Sequence, residues 1–284
     1  VHDLAIGPYQ GKETGETALF RSVQASLKEG DIVLGDRCFC TFFGIAGLNQ
    51  KGVDILFRMH QRRIFDFRRG HVLGVEDHLT TWTKPARPDW MDEATYEAMP
   101  ETIQVRELRI KVGQSGYRDQ SLVLVTTLLD PVLYPKKKVG ELYLKRWHVE
   151  LDLRSIKCVL QMEVLRCKTH DMVVKEIWVH LLAYNLIRGV IVKAASAHGK
   201  EPRNVSFKGA LQTMTAFLPA WREADPSERK RLMKVMLEAI AAHEVGDRPG
   251  RSEPRVLKRR PKPQKLMTEP RETTRNRLQA KVLR

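Results

Sequence analysis

DIVLGDRCFCTFFGIAGLNQKGVDILFRM, residues 31–59, decides the fold class. Ile32, Val33 and Leu34 form a short β-branched and aliphatic run that suits a strand buried on both faces, and it stops at Gly35-Asp36-Arg37. Residues 41–50 read as a helix that Gly52 stops, and 53–59 as a second buried strand. Just upstream, Leu19, Phe20, Val23 and Leu27 fall at helical spacing within 16–28, and Gly30 ends that helix. Residues 2–9 read as a short strand. The order β-α-β-α-β predicts an α/β sheet.

From about residue 60 to 128 the texture changes. IFDFRRGHVL, HLTTWT, QVRELRIKV and SLVLVTTLL alternate between Gly and Pro signals, with RPDWMDEATYEAMPE as a loop holding one helical turn. This is antiparallel β grammar, so the region reads as a β-rich insertion. Residues 138–162, just after Pro135, read as one long helix. Residues 170–198 read as another, with Ile177, Leu181, Tyr184, Leu186 and Ile187 turned to the core; 206–218 and 226–243 look helical too. Trp147 and Trp178 read as core residues, His148 as a packed one, and Trp82 or Trp90 as a surface on which a base could stack. After Gly246 there are thirteen Lys and Arg against four Asp and Glu, with five prolines. Such a tail cannot bury enough apolar area to order itself.

The 284 residues carry 49 Lys and Arg against 34 Asp and Glu, a formal charge of +15. That surplus favours a polyanion, because neutralised phosphates release counterions, and nucleic acid is the expected partner. No run of eighteen apolar residues occurs and no secretion signal opens the chain, so the expectation is a cytoplasmic protein without a membrane partner. Cys38, Cys40, Cys158 and Cys167 match neither a disulfide framework nor a double CxxC zinc site. Cys38 and Cys40 could form a zinc pair, and buried free thiols are the simpler reading. The nine histidines form no metal-binding pair.

The chemistry concentrates in YLKRWHVELDLRSIK, residues 143–157. On an unbroken helix, Tyr143, Arg146, Glu150 and Lys157 share a stripe roughly 60° wide and on the order of 20 Å long. A carboxylate among phosphate-gripping cations can hold a divalent metal against a phosphate backbone. Arginine offers a planar fork to phosphate and lysine a point charge. The plainer reading is a solvated face with intrahelical ion pairs, since Arg146 and Arg154 each lie four residues from Glu150. Asp36 bears on that choice. It ends a buried strand, where sites in open α/β sheets form, and a second carboxylate facing it would complete a phosphoryl-transfer layout. A strand-end aspartate is also a common turn residue.

The spacing Y-x2-R-x3-E-x6-K over Tyr143, Arg146, Glu150 and Lys157 resembles the signature of the insertion-sequence-four family of DDE transposases. LGDRCF resembles that family's second-aspartate segment, and HDLAIGPYQGKETGE and LRCKTHDMVVKEIWVHLLAYNLIR are similar to further segments, so the likeness extends over about 2–265. The resemblance implies an RNase H-like mixed sheet flanked by helices, with a β-rich insertion before the catalytic helix. It divides the chain into a first core part over 1–60, an insertion over 61–128, a second core part over 129–245 and a basic tail over 246–284. It implies Mg2+ or Mn2+, two ions in the complete enzyme, held by two aspartates and a glutamate. Asp36 and Glu150 would be catalytic and metal-binding here, with Tyr143, Arg146 and Lys157 on DNA. It further implies nicking at transposon ends, strand transfer into target DNA, and a dimer on DNA. The strand of the first aspartate is expected upstream of residues 2–9, so this chain alone is expected to be inactive. A non-catalytic DNA-binding remnant and a nuclease without strand transfer are the alternatives.

Overall fold

The computed structural model describes residues 1–8, 10–11, 14–112, 120–245 and 269–282. They fall into two compact units, Val1–Arg248 and Pro249–Arg284. The first contains a six-stranded mixed sheet in which β1 (Ile32–Gly35) runs parallel to β2 (Asp54–Arg58). Beyond β2 come four antiparallel strands: β3 (His71–Gly74), β4 (Asp77–Thr83), β5 (Thr102–Val112) and β6 (Gln120–Thr126). The order is β1-β2-β6-β5-β4-β3. This is the α/β, RNase H-like mixed sheet flanked by helices that the sequence predicts, and the strands of 61–128 continue the sheet begun by β1 and β2.

Strand alternation assigns the two faces. Val33, Ile55, Phe57, Ile103, Val105 and Val125 point to one side. There they meet α1 (Glu16–Val23), α2 (Phe42–Asn49) and the segment holding α3 (Glu93–Glu97) through Phe20, Ile45, Leu48 and Tyr96. Thr41 caps α2, its side chain accepting from the Gly44 N–H. On the other side Leu34, Leu56, Leu108, Ile110 and Leu124 pack under α4 (Lys136–Leu144), through Val139 and Tyr143. Covering both faces explains why β2 reads as a continuous apolar run. Ile32, at the start of the edge strand β1, stays exposed.

Residues 2–8 are not a strand. Leu4 packs instead on the helical core, and the Val1 ammonium and carbonyl bond the Asn185 amide. The long helix expected over 138–162 is also broken. It comprises α4, α5 (Trp147–Arg154) and a π turn over Ser155–Val159. Between them the bonds contract to i−3 spacing, from Arg146 N–H to Tyr143 O and from Val149 N–H to Arg146 O. The two halves serve different cores. Val139 and Tyr143 pack on the sheet, whereas Ile156 packs with Leu181, Ile187 and Ile191, so the chain re-aims between them.

That second core unites α6 (His170–Ala197), α7 (Phe207–Glu223) and α8 (Pro226–Ala242). By length and composition α6 could cross a membrane, unlike anything read from the sequence, yet it packs Leu181, Tyr184, Ile187 and Ile191 against α7 and α8. Leu186 and Trp178 do not join this core; Trp178 is 47% exposed, and Trp147 on α5 is 55% exposed. On a helical wheel Trp178 and Leu186 fall roughly 120° and 200° from Tyr184, off the buried row. In the second unit Arg271–Val282 forms helix α9, so this part of the tail is ordered locally, with Arg277 bonded to Glu269. Residues 246–268 lie outside the described residues.

Asp152 ties α5 to this helical layer. Its carboxylate accepts from Arg188 Nη2 at 2.9 Å and from Arg203 Nη1 and Nη2 at 2.6 and 3.1 Å. Burial pushes the Asp152 carboxyl up, but hydrogen bonds from Arg203 and Tyr184 and the charges of Arg203 and Arg188 outweigh it and hold the group below its ordinary 3.8. With the folded value below the unfolded one, this stabilisation is complete above the unfolded value and is lost as pH falls through the folded one. Asp152→Asn should therefore lower the melting temperature at neutral pH, with the gap to the parent closing in acid as the pH falls through the depressed folded value. Thermal melts across pH test this; a gap of equal width at both ends would refute the ion clamp.

Candidate functional site

Parallel pairing sets the C-terminal ends of β1 and β2 side by side, with Gly35 opposite Phe57. One residue further, Asp36 leaves β1 where Arg58 ends β2. Gly35 is needed at this point, because a Cβ there would lie 2.7 Å from the Phe57 ring. Asp36 is exposed, and its Oδ1 accepts from the Arg37 N–H at 2.7 Å, capping the turn Arg37–Phe39. The turn role foreseen for a strand-end aspartate is thus real, and it fixes the carboxylate at the rim of the sheet.

α4 brings Tyr143 over this rim. The ring is 4% exposed and packs with Leu34, Leu56 and Val139. Burial pushes the phenol above its usual range; Arg146 and Arg58 pull it down, and the Asp36 charge adds to the rise. Tyr143 is therefore a neutral hydroxyl within electrostatic reach of both Asp36 and Arg58. The Arg146 guanidinium stands 5.9 Å from the Tyr143 ring centre, and its Nη2 lies 3.5 Å from Glu150 Oε1. Tyr143, Arg146 and Glu150 thus follow one another along the helix, and Asp36 lies within electrostatic reach of the first of them.

Two features depart from a single open stripe. Tyr143 is buried rather than presented on an open face. Lys157 sits exposed in the π turn, lining a separate groove with Gln161 and Arg166. Arg146 and Glu150 form the i,i+4 pair of the plainer reading, but loosely and with Glu150 about half exposed. Such a pair contributes little and leaves both groups open to a ligand. Arg58 was missed by sequence reasoning. Its signal was available in the parallel register, which puts 58 beside 36 once 32 is aligned with 54.

The carboxylates of Asp36 and Glu150 are hard oxygen donors of the kind Mg2+ or Mn2+ requires. Among the described residues no group of three or more His, Cys, Asp or Glu stands together as a metal cluster. Cys38 and Cys40 are free thiols on the turn after Asp36. Burial pushes the Cys40 thiol up to about 11, so it is inert at neutral pH. Of the tryptophans considered for base stacking, Trp82 is buried, with Arg63 over its ring at 3.4 Å and its Nε1 bonded to Glu107. Trp90 is partly exposed beneath Arg21, 3.9 Å away.

Residues 5–186 match the family model described as transposase DDE domain, a shorter span than the likeness read from sequence. The chain is 33% identical over 141 residues to the transposase InsG for insertion sequence element IS4 of Escherichia coli (strain K12). That match covers 49% of this chain and 32% of the relative, so the chain spans about a third of the curated relative's length. No solved structure matches it significantly.

Proposed function

The chain belongs to the transposase DDE domain family, on the insertion-sequence-four side of it, and from that premise we propose that it supplies two of the three acids of a DNA-cleaving and DNA-joining centre. The proposed reaction is metal-dependent nicking at transposon ends followed by strand transfer into target DNA, on a dimer assembled on DNA. The observation that carries the proposal is the loose Arg146–Glu150 pair next to Tyr143, which packs on Leu34 of the strand that ends at Asp36. Asp36 and Glu150 would hold Mg2+ or Mn2+, which when bound supplies Lewis-acid stabilisation of charge on the phosphoryl oxygens. Arg146 turns from its loose pair with Glu150 to a phosphate oxygen. The Tyr143 hydroxyl and Arg58 steady the Asp36 side of the backbone, and Lys157 meets phosphate further along the strand. The division into 1–60, 61–128, 129–245 and 246–284 belongs to the same proposal.

Calorimetry with Mn2+ tests the two carboxylates. Binding heat that Asp36→Ala and Glu150→Ala each remove is the expected result, and heat unchanged in both variants would overturn the assignment. A DNA-binding chain without chemistry of its own is the second reading. It is favoured by the lack of a third acid in the cluster among the described residues.

A further inference from the structure

α6 is apolar on two opposite sides, and the helical core uses one of them. Leu181, Tyr184, Ile187 and Ile191 form the buried row. Trp178, Val179, Leu182 and Leu186 lie within roughly 100° of one another on the helical wheel, centred opposite that row, and are 47–64% exposed. Met172 and Val192, each 48% exposed, lengthen the stripe at its ends. A helix apolar all round belongs in an interior. Scattered apolar residues on a surface need no explanation, but six along one line make a patch. The largest such patch on an ordinary monomer is roughly 300–600 Å² and is often functional.

Gly189 is an independent sign that a backbone approaches this face. It lies inside the helix on the same line, where glycine is markedly less favourable than alanine. A Cβ there would meet nothing within 4 Å, so no contact in the described fold calls for glycine. A helix crossing the stripe does, because the missing side chain lets its backbone settle close. The stripe also carries charge at its ends. Lys175 and Lys193, both exposed, fall within about 20° of Leu182 on the wheel and about 27 Å apart along the axis. The acid nearest this line is Asp171, one turn before Lys175, which His170 Nδ1 meets at 3.2 Å. Antiparallel pairing of α6 with a second copy, centred on the stripe, would set Lys175 against Lys193. Parallel pairing would set each lysine beside its own copy. Both arrangements repel. Acidic residues at the two ends of a partner helix turn that repulsion into attraction, which fixes register and partner choice more than affinity.

We infer that this face of α6 is a docking site for an amphipathic helix of another protein, one with an apolar stripe of about three turns and acidic residues at both ends, crossing closest at Gly189. The inference does not depend on the proposed chemistry of Asp36 and Glu150. A membrane surface is the other use of an apolar, cation-bearing helix. An interfacial helix carries its cations over the polar face, whereas here they cap the two ends of the apolar stripe.

The test uses the full 284-residue chain and two fluorescently labelled helical peptides of about 21 residues with the same leucine face, one ending in glutamates and the other in lysines. Anisotropy at low salt should show the glutamate-ended peptide binding at least about tenfold tighter. Lys175→Glu with Lys193→Glu should reverse that order. Leu182→Asp should remove binding of both peptides yet keep the melting temperature and DNA binding of the parent, since the side chain is exposed. Gly189→Leu should move two readouts apart. The melting temperature should rise by a few degrees, because a helix-favouring residue enters open space, while affinity for the glutamate-ended peptide falls at least about tenfold. No binding by either peptide, equal binding of both, or peptide binding unchanged in Gly189→Leu overturns the inference. So does self-association in sedimentation that Leu182→Asp abolishes, which makes the face a contact between copies. Flotation with phosphatidylserine vesicles that Leu182→Asp abolishes makes it a membrane surface, and loss of DNA binding in that variant makes it a DNA surface; either result is equally contrary.

Discussion

Arg106→Ala is expected to lower the unfolding free energy by about 3–5 kcal/mol, a large part of the roughly 5–15 kcal/mol that a domain possesses. Arg106 is fully buried on β5. Its Nε and Nη2 meet the two oxygens of the buried Asp77 at 2.7 and 2.6 Å, and Nη1 donates to Tyr134 O at 2.7 Å. Alanine would strand the Asp77 charge in the interior and leave the Tyr134 carbonyl without that donor. The cost is the desolvation of an unpaired charge, not the net contribution of the pair. Replacing both partners by apolar residues of similar size, Asp77→Leu with Arg106→Met, should recover most of the loss. Tyr134 directly precedes the Pro135 cap of α4, so the single variant should also loosen the helix that carries Tyr143. Urea unfolding decides the matter: the midpoint should fall sharply at constant slope. A loss below about 1 kcal/mol would mean that water or a relaxed backbone already solvates Asp77.

Arg106 also shows where sequence reading ends. In VRELRIK, Val105 and Glu107 turn to the α2 side, while Arg106, Leu108 and Ile110 turn to the α4 side. Simple alternation predicts a strand with one wet face. Here both faces are covered, and each buries a charged residue with its own partner, Asp77 for Arg106 and His78 with Trp82 for Glu107. The partners lie about thirty residues away, at a separation no local pattern encodes. The β1-α2-β2 unit was legible because its apolar runs and glycine stops are local. The pattern that proposes acids at 36 and 150 was legible because its spacing survives in the linear chain. The break at 145–146 was not. Helical periodicity runs through it, and only the competing pull of sheet core and helical core explains why the helix bends there. Tyr143 belongs to the same lesson: the spacing that places it in line with Arg146 and Glu150 also places it on the row that α4 buries.

Wherever this chain takes part in metal-dependent strand cleavage, Glu150→Ala is expected to abolish it, by at least about a thousandfold. That is about 4 kcal/mol of transition-state stabilisation, the several kcal/mol a metal contributes through charge on phosphoryl oxygens. DNA binding should persist and even tighten slightly. Glu150 repels phosphate and holds Arg146 Nη2 at 3.5 Å, so removing it frees a guanidinium for the backbone. The two readouts moving apart is the signature of a metal ligand; a structural residue would lower both together. Cleavage surviving within tenfold, or binding falling in step with it, would remove Glu150 from the centre. The 284-residue chain alone is expected to give no magnesium-dependent plasmid nicking, because among the described residues no third acid groups with Asp36 and Glu150 to hold a metal pair. Turnover by this chain that Glu150→Ala abolishes would overturn the inactivity and still establish the glutamate. Turnover indifferent to Glu150 would instead place the chemistry away from Asp36 and α5.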